Sequence, residues 1–173
     1  MLQEKTADFI CVTLLSGKEI KLPLRHILLK KWSGKKPAFS LGNKPFVEHK
    51  GKPLFAELAI LDLFIDSGWN GVWVSAYGGT HFLNTLPKSS ALSRNSIAIP
   101  PDRLALLEKI WLAGATSGCF DNFLWKEGDV LFCESKHKNK DALTKPQIKF
   151  IEGALACGVT PESLIIMEWE YEN

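Results

Sequence analysis

The chain has 173 residues, a formal net charge of +2 and 46% hydrophobic residues, a composition that fits one globular domain, alone or with an extension. No apolar run approaches the roughly 20 residues that cross a bilayer, and MLQEKTADF lacks the build of a secretory signal. We therefore expect a cytoplasmic protein with no membrane partner. The scattered cysteines contain no C-x-x-C pair, which argues against structural zinc, and Cys133 and Cys157 are predicted to be buried.

The first 50 residues are predicted to form a basic N-terminal extension. We expect a hairpin over residues 9–22 that turns at Ser16 and Gly17, a short helix over 23–31, and a loop or linker over 33–51. Between Lys18 and Lys52, ten Lys or Arg residues stand against two acidic ones, which suits a polyanion such as DNA and equally suits a solvated lysine surface. The candidate DNA contacts in this segment are Lys30, Lys31, Lys35 and Lys36. His26 and His49 are isolated, and we expect neither to bind a metal.

A helix is predicted over residues 53–67, ended by Gly68. Its apolar stripe consists of Leu54, Leu58, Leu61 and Ile65. Glu57 lies beside this stripe, either as a carboxylate that faces a metal site or as an ordinary flank residue of an amphipathic helix. Residues 71–79 are predicted to be a strand, the first of the sheet, and residues 80–100 form a polar, turn-rich segment.

Three further elements complete the predicted domain. Pro101 begins a helix whose apolar side carries Leu104, Leu107, Ile110 and Trp111, and a hairpin follows it over residues 120–136. A last helix runs to about Cys157, and residues 163–169 form a last strand. This alternation predicts an α/β fold, with a central mixed sheet and helices on both sides.

The hairpin is the most informative stretch of the sequence. Two aromatic and apolar runs flank the polar turn of residues 126–129, so a two-residue loop at Glu127 and Gly128 is predicted. This register places Asp121 opposite Glu134. Because side chains alternate along a strand, Lys136 lies on the same face as Glu134.

Two carboxylates in direct opposition repel one another, and a divalent cation would offset that repulsion. The predicted ligands are Asp121, Glu134 and the backbone carbonyl of Ser135, with the ammonium of Lys136 nearby. This set is the inventory for metal-assisted attack of water on a phosphodiester. An exposed hairpin with a chance Glu/Lys pair would explain Glu134 and Lys136 without any function.

The segment after the hairpin adds further candidates. Lys138 and Lys140 lie in a polar, basic loop close to the proposed metal site, where they could contact phosphates. Thr144 and Gln147 match a capping box, which accounts for Gln147 structurally and leaves a role near the active centre open.

Asp121, the Glu134-Ser135-Lys136 motif and a helix with Gln147 resemble the PD-(D/E)xK nucleases, and more narrowly their VRR-NUC branch, the virus-type replication–repair nucleases. The matching segments read FDNFLW, FCESKHKNKD and LTKPQIKFIEGALACGV. Glu57 matches a glutamate that the branch carries on an earlier helix. The resemblance covers roughly residues 51 to 170. The chain departs from the pattern at Phe120, usually proline, and at Asn122, usually apolar, and neither change removes a ligand.

The resemblance implies a restriction-endonuclease-like fold for residues 51–173, a central mixed β-sheet flanked by helices. It implies a DNA endonuclease that acts with Mg²⁺ or Mn²⁺ on branched DNA in replication, recombination or repair, and a homodimer is plausible. Asp121, Glu134 and the Ser135 carbonyl would hold the metal, and Glu57 would support a second one. Lys136 would orient the nucleophile or stabilise the transition state, and Gln147 would position water or phosphate.

Two other functions fit the same sequence. One is a non-catalytic nucleic-acid-binding module that keeps the nuclease fold and its basic surface. The other is a protein-interaction module of a larger assembly, which six tryptophans and the acidic tail EWEYEN would suit.

Overall fold

The computed structural model describes residues 8–76, 79–115 and 117–172, with residues 114 and 115 described by their backbone alone. In these residues nine strands form one sheet, and three α-helices pack against it. The strands are β1 (Asp8–Thr13), β2 (Glu19–Lys31), β3 (Val47–His49), β4 (Lys52–Leu54), β5 (Asn70–Ser75), β6 (His81–Leu83), β7 (Asn122–Lys126), β8 (Asp129–His137) and β9 (Leu164–Tyr171). The helices are α1 (Ala56–Asp66), α2 (Pro101–Ile110) and α3 (Lys145–Ala156).

The sheet is open and mixed. Its strand order is β4-β3-β2-β9-β8-β7-β5-β6, and β1 pairs with β2 beside this path. β9 runs parallel to both β2 and β8, whereas the other pairs are antiparallel. The predicted α/β class with a central mixed sheet is confirmed.

Alternating side chains give the sheet two buried faces. On β8, Leu131 and Cys133 join the cluster that contains the apolar residues of α1, and Phe132 between them joins the cluster that contains those of α2 and α3. β9 alternates in the same way, with Ile165 on the α1 face and Ile166 on the α3 face. The helices therefore cover both faces, because neighbouring residues of a strand point to opposite sides.

The N-terminal segment confirms one prediction and corrects another. β1 and β2 form the predicted hairpin, and Gly17 takes a left-handed φ of 83° in its turn. The helix predicted over residues 23–31 is wrong, because these residues continue β2 and pair with β9, Leu24 with Ile166 through Leu29 with Tyr171. A partner strand more than 130 residues away in sequence supplies the hydrogen bonds, so a long-range pairing overrides the local pattern.

The strands on the two sides of residue 50 belong to one sheet. β2 and β3 precede this predicted boundary, and β9, which pairs with β2, follows it. Residues 32–46 contain no helix or strand, which agrees with most of the loop predicted over 33–51, but β3 occupies residues 47–49 of that prediction and pairs with β2 and β4.

α1 begins three residues later than predicted, and its apolar stripe differs from the predicted one. Leu58 and Leu61 are buried, but Leu54 lies in β4 and Ile65 is 40% exposed. The strand predicted over residues 71–79 corresponds to β5, and residues 77 and 78 of that prediction lie outside the described residues. β5 is not the first strand of the sheet, because β6 pairs on its outer side and four strands precede it in the chain.

The C-terminal elements agree closely with the prediction. α2 begins at Pro101, α3 begins after the Thr144 cap, and β9 includes the predicted last strand. The four cysteines are free thiols; Cys133 is buried as predicted, whereas Cys157 at the end of α3 is only half-buried. In the described part of the chain, no helix is long and apolar enough to cross a membrane.

Gly118 allows the segment before β7 to pack directly on the start of α3. Its φ is +85°, and a Cβ there would lie 2.3 Å from the carbonyl carbon of Pro146 and 2.6 Å from the amide nitrogen of Gln147. Both neighbours are backbone atoms, which cannot rotate away as a flexible side chain would.

We therefore expect Gly118→Ala to lower the free energy of unfolding by about 2 kcal/mol or more, since the left-handed φ and the overlap both add strain. Urea unfolding measures the change. Gly128→Ala is the matched control, because a Cβ at Gly128 meets nothing within 4 Å. Equal stability of the two variants would contradict this view of the loop.

Candidate active site

The β7–β8 hairpin has the predicted register. Lys126 pairs with Asp129 and Asn122 pairs with Cys133, so the next pair along would be Asp121 and Glu134. The backbone N–H of Asp121 donates to Oε2 of Glu134 at 3.2 Å. The two carboxylate residues therefore meet where the hairpin strands end.

Ser135 fixes the Asp121 side chain. Oδ2 of Asp121 accepts from the Ser135 backbone N–H at 3.0 Å and from the Ser135 hydroxyl at 2.6 Å. The sequence prediction concerned only the carbonyl of Ser135 and missed this hydroxyl. Asp121 thus contacts two consecutive residues of β8, one pointing to each face of the sheet.

Lys136 and Gln147 complete a buried polar network on the α3 face. Nζ of Lys136 lies 2.9 Å from Oε1 of Glu134 and 2.9 Å from Oε1 of Gln147. Nε2 of Gln147 donates to Oε1 of Glu134 at 2.5 Å. Glu134 and Lys136 are 3% and 8% exposed, so the solvated-hairpin alternative does not describe this pair.

Gln147 is held in place by its own helix. Its Oε1 accepts from the backbone N–H of Thr144 at 2.9 Å, and the Thr144 hydroxyl accepts from the Gln147 N–H at 3.4 Å. The capping box predicted from the sequence is present. The Gln147 side chain thus caps α3 and also contacts Glu134 and Lys136.

Glu57 reaches the other side of the site from the first turn of α1. The Asn122 carboxamide donates to the backbone carbonyl of Glu57 at 2.9 Å, which ties α1 to β7. The Glu57 carboxylate accepts a hydrogen bond from Nζ of Lys44, a residue of the loop 32–46. Sequence reasoning missed Lys44, since nothing in its local pattern distinguishes it from the other lysines of that loop.

The electrostatics of the site reflect crowded negative charge. Removal from water, followed by the repulsion of Asp121, raises the pKa of Glu134 to about 8. Removal from water and the repulsion of Glu57 raise the pKa of Asp121 to about 6, although Lys44 and Ser135 oppose the increase. Burial lowers the pKa of Lys44, but the attraction of Glu57, Asp121 and Glu134 outweighs burial and raises it overall.

The three carboxylates do not form one tight ligand set. Within the described ranges, the one group of three or more His, Cys, Asp or Glu ligand atoms within 4.8 Å of one another is His49, Asp62 and Asp66. Sequence reasoning missed this group, which brings the last residue of β3 next to two residues of α1. Lys50 offsets one of its two negative charges, with Nζ 2.6 Å from Asp62 and 2.8 Å from Asp66.

A cavity of about 330 Å³ opens on the α1 face of the site. Glu57, Lys44 and Ser135 line it on the side of the carboxylates, and Lys140 lies on its rim. The His137 and Trp169 rings, which stack at 4.0 Å between centroids, line another part. The cavity therefore connects Glu57 and Ser135 to a cationic and aromatic surface, whereas Asp121 and Glu134 do not line it.

The lysines predicted to contact DNA have different surroundings. Lys30 is paired with Glu48 at 2.9 Å, and Lys138 is paired with Glu170 at 2.7 Å. The ammonium of Lys31 lies 5.8 Å from the centroid of the Tyr171 ring. Lys35 and Lys36 are exposed in the loop 32–46, away from the secondary structure.

No family model, no curated protein and no solved structure matches this chain.

The raised pKa of Glu134 predicts how stability depends on pH in the absence of metal. Between about pH 4.5 and pH 8 the folded chain keeps a proton on Glu134 that the unfolded chain has lost. The contribution of Glu134 to the free energy of unfolding therefore falls as the pH rises through this range. A neutral amide at this position avoids the loss.

We expect the free energy of unfolding of Glu134→Gln, relative to that of the wild type, to increase by about 1–3 kcal/mol from pH 5 to pH 9. Urea unfolding with EDTA at both pH values measures the gain. Glu127→Gln, in the exposed hairpin loop, is the control and should show no such trend. A difference in the free energy of unfolding between Glu134→Gln and the wild type that is independent of pH would refute the raised pKa of Glu134.

Proposed function

We propose that this chain is a metal-dependent DNA endonuclease of the VRR-NUC type, with a restriction-endonuclease-like fold. One observation carries the proposal: Asp121, Glu134, Ser135, Lys136 and Gln147 contact one another in a single hydrogen-bonded network. These are the residues that the sequence resemblance selects.

The order of the elements supports the same proposal. An antiparallel hairpin carries the aspartate and the E-x-K motif, and β8 then pairs with a parallel strand, β9, that follows α3. α1 brings Glu57 to the opposite face, as the resemblance implies for a glutamate on an earlier helix.

The donor set fits a hard divalent cation. Carboxylate and carbonyl oxygens are the ligands of Mg²⁺ and Mn²⁺. Burial first, and then the repulsion of a neighbouring carboxylate, raise the pKa values of Asp121 and Glu134, and a bound cation would favour their charged forms. Asp121, Glu134 and the carbonyl of Ser135 would hold it. When bound, such a cation lowers the pKa of a coordinated water and stabilises charge on the scissile phosphate.

The side chains of the network have distinct roles in this proposal. Lys136 is held by Glu134 and Gln147 with its ammonium beside the carboxylates, where it orients the attacking water or neutralises charge that develops on the phosphate. The Ser135 hydroxyl fixes the orientation of Asp121. Gln147 connects Lys136 and Glu134 to the start of α3 and positions water or phosphate.

The substrate class follows from charge and from the resemblance. The loop 32–46 and the loop after β8 provide exposed lysines, Lys35, Lys36 and Lys140, that suit the phosphate backbone. Because no base-reading motif is recognisable, we propose recognition of DNA structure rather than sequence, with branched DNA as the substrate and a homodimer as the active form.

A non-catalytic nucleic-acid-binding module is the second candidate. The observation in its favour is that Glu57 is already neutralised by Lys44 and does not lie in one ligand group with Asp121 and Glu134. A protein of this kind would bind DNA without a divalent cation and leave it intact.

Labelled single-stranded, duplex, flap and four-way-junction DNA, incubated with Mn²⁺, distinguishes the two candidates. We expect cleavage by the wild type, abolition by EDTA, and a loss of at least about 100-fold in Asp121→Ala, because the variant lacks a ligand of the cation. Lys136→Met should lose activity with its metal binding retained.

Asp66→Ala is the matched control, because it removes an exposed carboxylate from the other acidic group. Activity of this variant at the wild-type level supports the assignment. Loss of cleavage in Asp66→Ala but not in Asp121→Ala would indicate that the metal binds at the group of His49, Asp62 and Asp66. Wild-type protein that binds DNA and never cuts it would establish the non-catalytic module.

The pKa values also predict the pH dependence of cleavage. Protons compete with the cation for Asp121 and Glu134, so at limiting Mn²⁺ the rate should rise between about pH 6 and pH 8. Raising the Mn²⁺ concentration should shift this rise to lower pH. Rates measured across this range at two Mn²⁺ concentrations test it, and a rate that is flat or falls with pH would contradict it.

A further inference from the structure

Lys44 has an unusual environment for a loop lysine. It is only half-buried, yet its ammonium hydrogen-bonds to the buried carboxylate of Glu57. The same nitrogen lies 5.7 Å from the centroid of the Phe55 ring and 5.4 Å from that of the Trp73 ring. The Lys44 ammonium is therefore surrounded by one carboxylate, of Glu57, and by two aromatic rings, of Phe55 and Trp73.

The position of this charge relates it to the candidate metal site. Among the groups that attract Lys44 are Asp121 and Glu134, besides its direct partner Glu57. Lys44 and Glu57 also line the cavity together with Ser135. The ammonium thus stands on the α1 side of the carboxylates, and Lys136 stands on the α3 side.

We propose that Lys44 takes the place of a second divalent cation at Glu57, so that the site binds one metal ion, at Asp121 and Glu134. The inference rests on the proposed nuclease function and corrects it in one respect: Glu57 is the partner of a built-in ammonium and not a metal ligand. Lys44 is then a positioned cation that faces the cavity in which the phosphodiester would lie.

The charges around Lys44 support this assignment. A buried carboxylate that loses its one charged partner is strongly destabilising, because its charge is then uncompensated. With Lys44 in place Glu57 needs no metal, whereas without Lys44 a carboxylate would remain beside the Asp121 carboxylate, and a divalent cation would be attracted to it. The aromatic rings favour an ammonium over a hydrated divalent ion, because they offer no oxygen ligands.

The test counts bound Mn²⁺ at pH 8 by equilibrium dialysis, with unbound Mn²⁺ measured by electron paramagnetic resonance. We expect one equivalent for the wild type and for Lys44→Arg, which keeps the charge, and a second equivalent for Lys44→Met. Glu57→Gln added to Lys44→Met should remove that second equivalent. Lys35→Met, an exposed lysine of the same loop, is the control and should bind one.

The outcomes separate this inference from the function on which it rests. Two equivalents in the wild type, or one in Lys44→Met with a wild-type thermal unfolding midpoint, would overturn the role of Lys44 and leave the nuclease proposal standing. Wild-type protein that binds no Mn²⁺, or whose bound Mn²⁺ persists in Asp121→Ala, would overturn the nuclease proposal and this inference with it. An Arg variant that binds one equivalent shows that charge, not chain shape, excludes the second ion.

Discussion

The register of one hairpin governs this molecule. Two residues at the turn, Glu127 and Gly128, determine which side chains of β7 and β8 face one another, and thereby bring Asp121 beside Glu134. A shift of the register by one residue would turn the side chains of one strand to the other face of the sheet relative to its partner and separate the two carboxylates. The contacts of Asp121 with Glu134 and Ser135 follow from this pairing, and so does the part of the pKa increase of Glu134 that comes after burial and is due to Asp121.

The structure manages this concentration of negative charge from both faces of the sheet. On the α3 face, Lys136 and Gln147 bind the carboxylate of Glu134. On the α1 face, Lys44 binds the carboxylate of Glu57. Between them, the Ser135 hydroxyl donates to the carboxylate of Asp121. The arrangement is costly for folding, because charged groups are withdrawn from water. Titratable groups with pKa values perturbed in this way cluster at functional sites, which is why the proposed function is placed on this network.

Sequence reasoning succeeded where the determining contacts are local. The hairpin turn, the capping box at Thr144 and the start of α2 at Pro101 each depend on residues a few positions apart, and all three are present. It failed where distant segments meet. The strand β2 looked helical until β9 supplied its partner, and Lys44 looked like any loop lysine until the fold placed it on Glu57. Most of the site was therefore predictable, but the balance of its charges was not.

The place of β2 beside β9 has a practical consequence for work with fragments. A piece cut at residue 50, the boundary that composition favours, would lack β2 and leave β9 as an edge strand, with the backbone N–H and carbonyl groups that face β2 unpaired. Exposed edges of this kind recruit other strands and promote aggregation. β9 is also the neighbour of β8, the strand that carries Glu134 and Lys136. A piece that begins at residue 51 would thus keep β9 beside β8 but lack the strand that supports β9 on its other side.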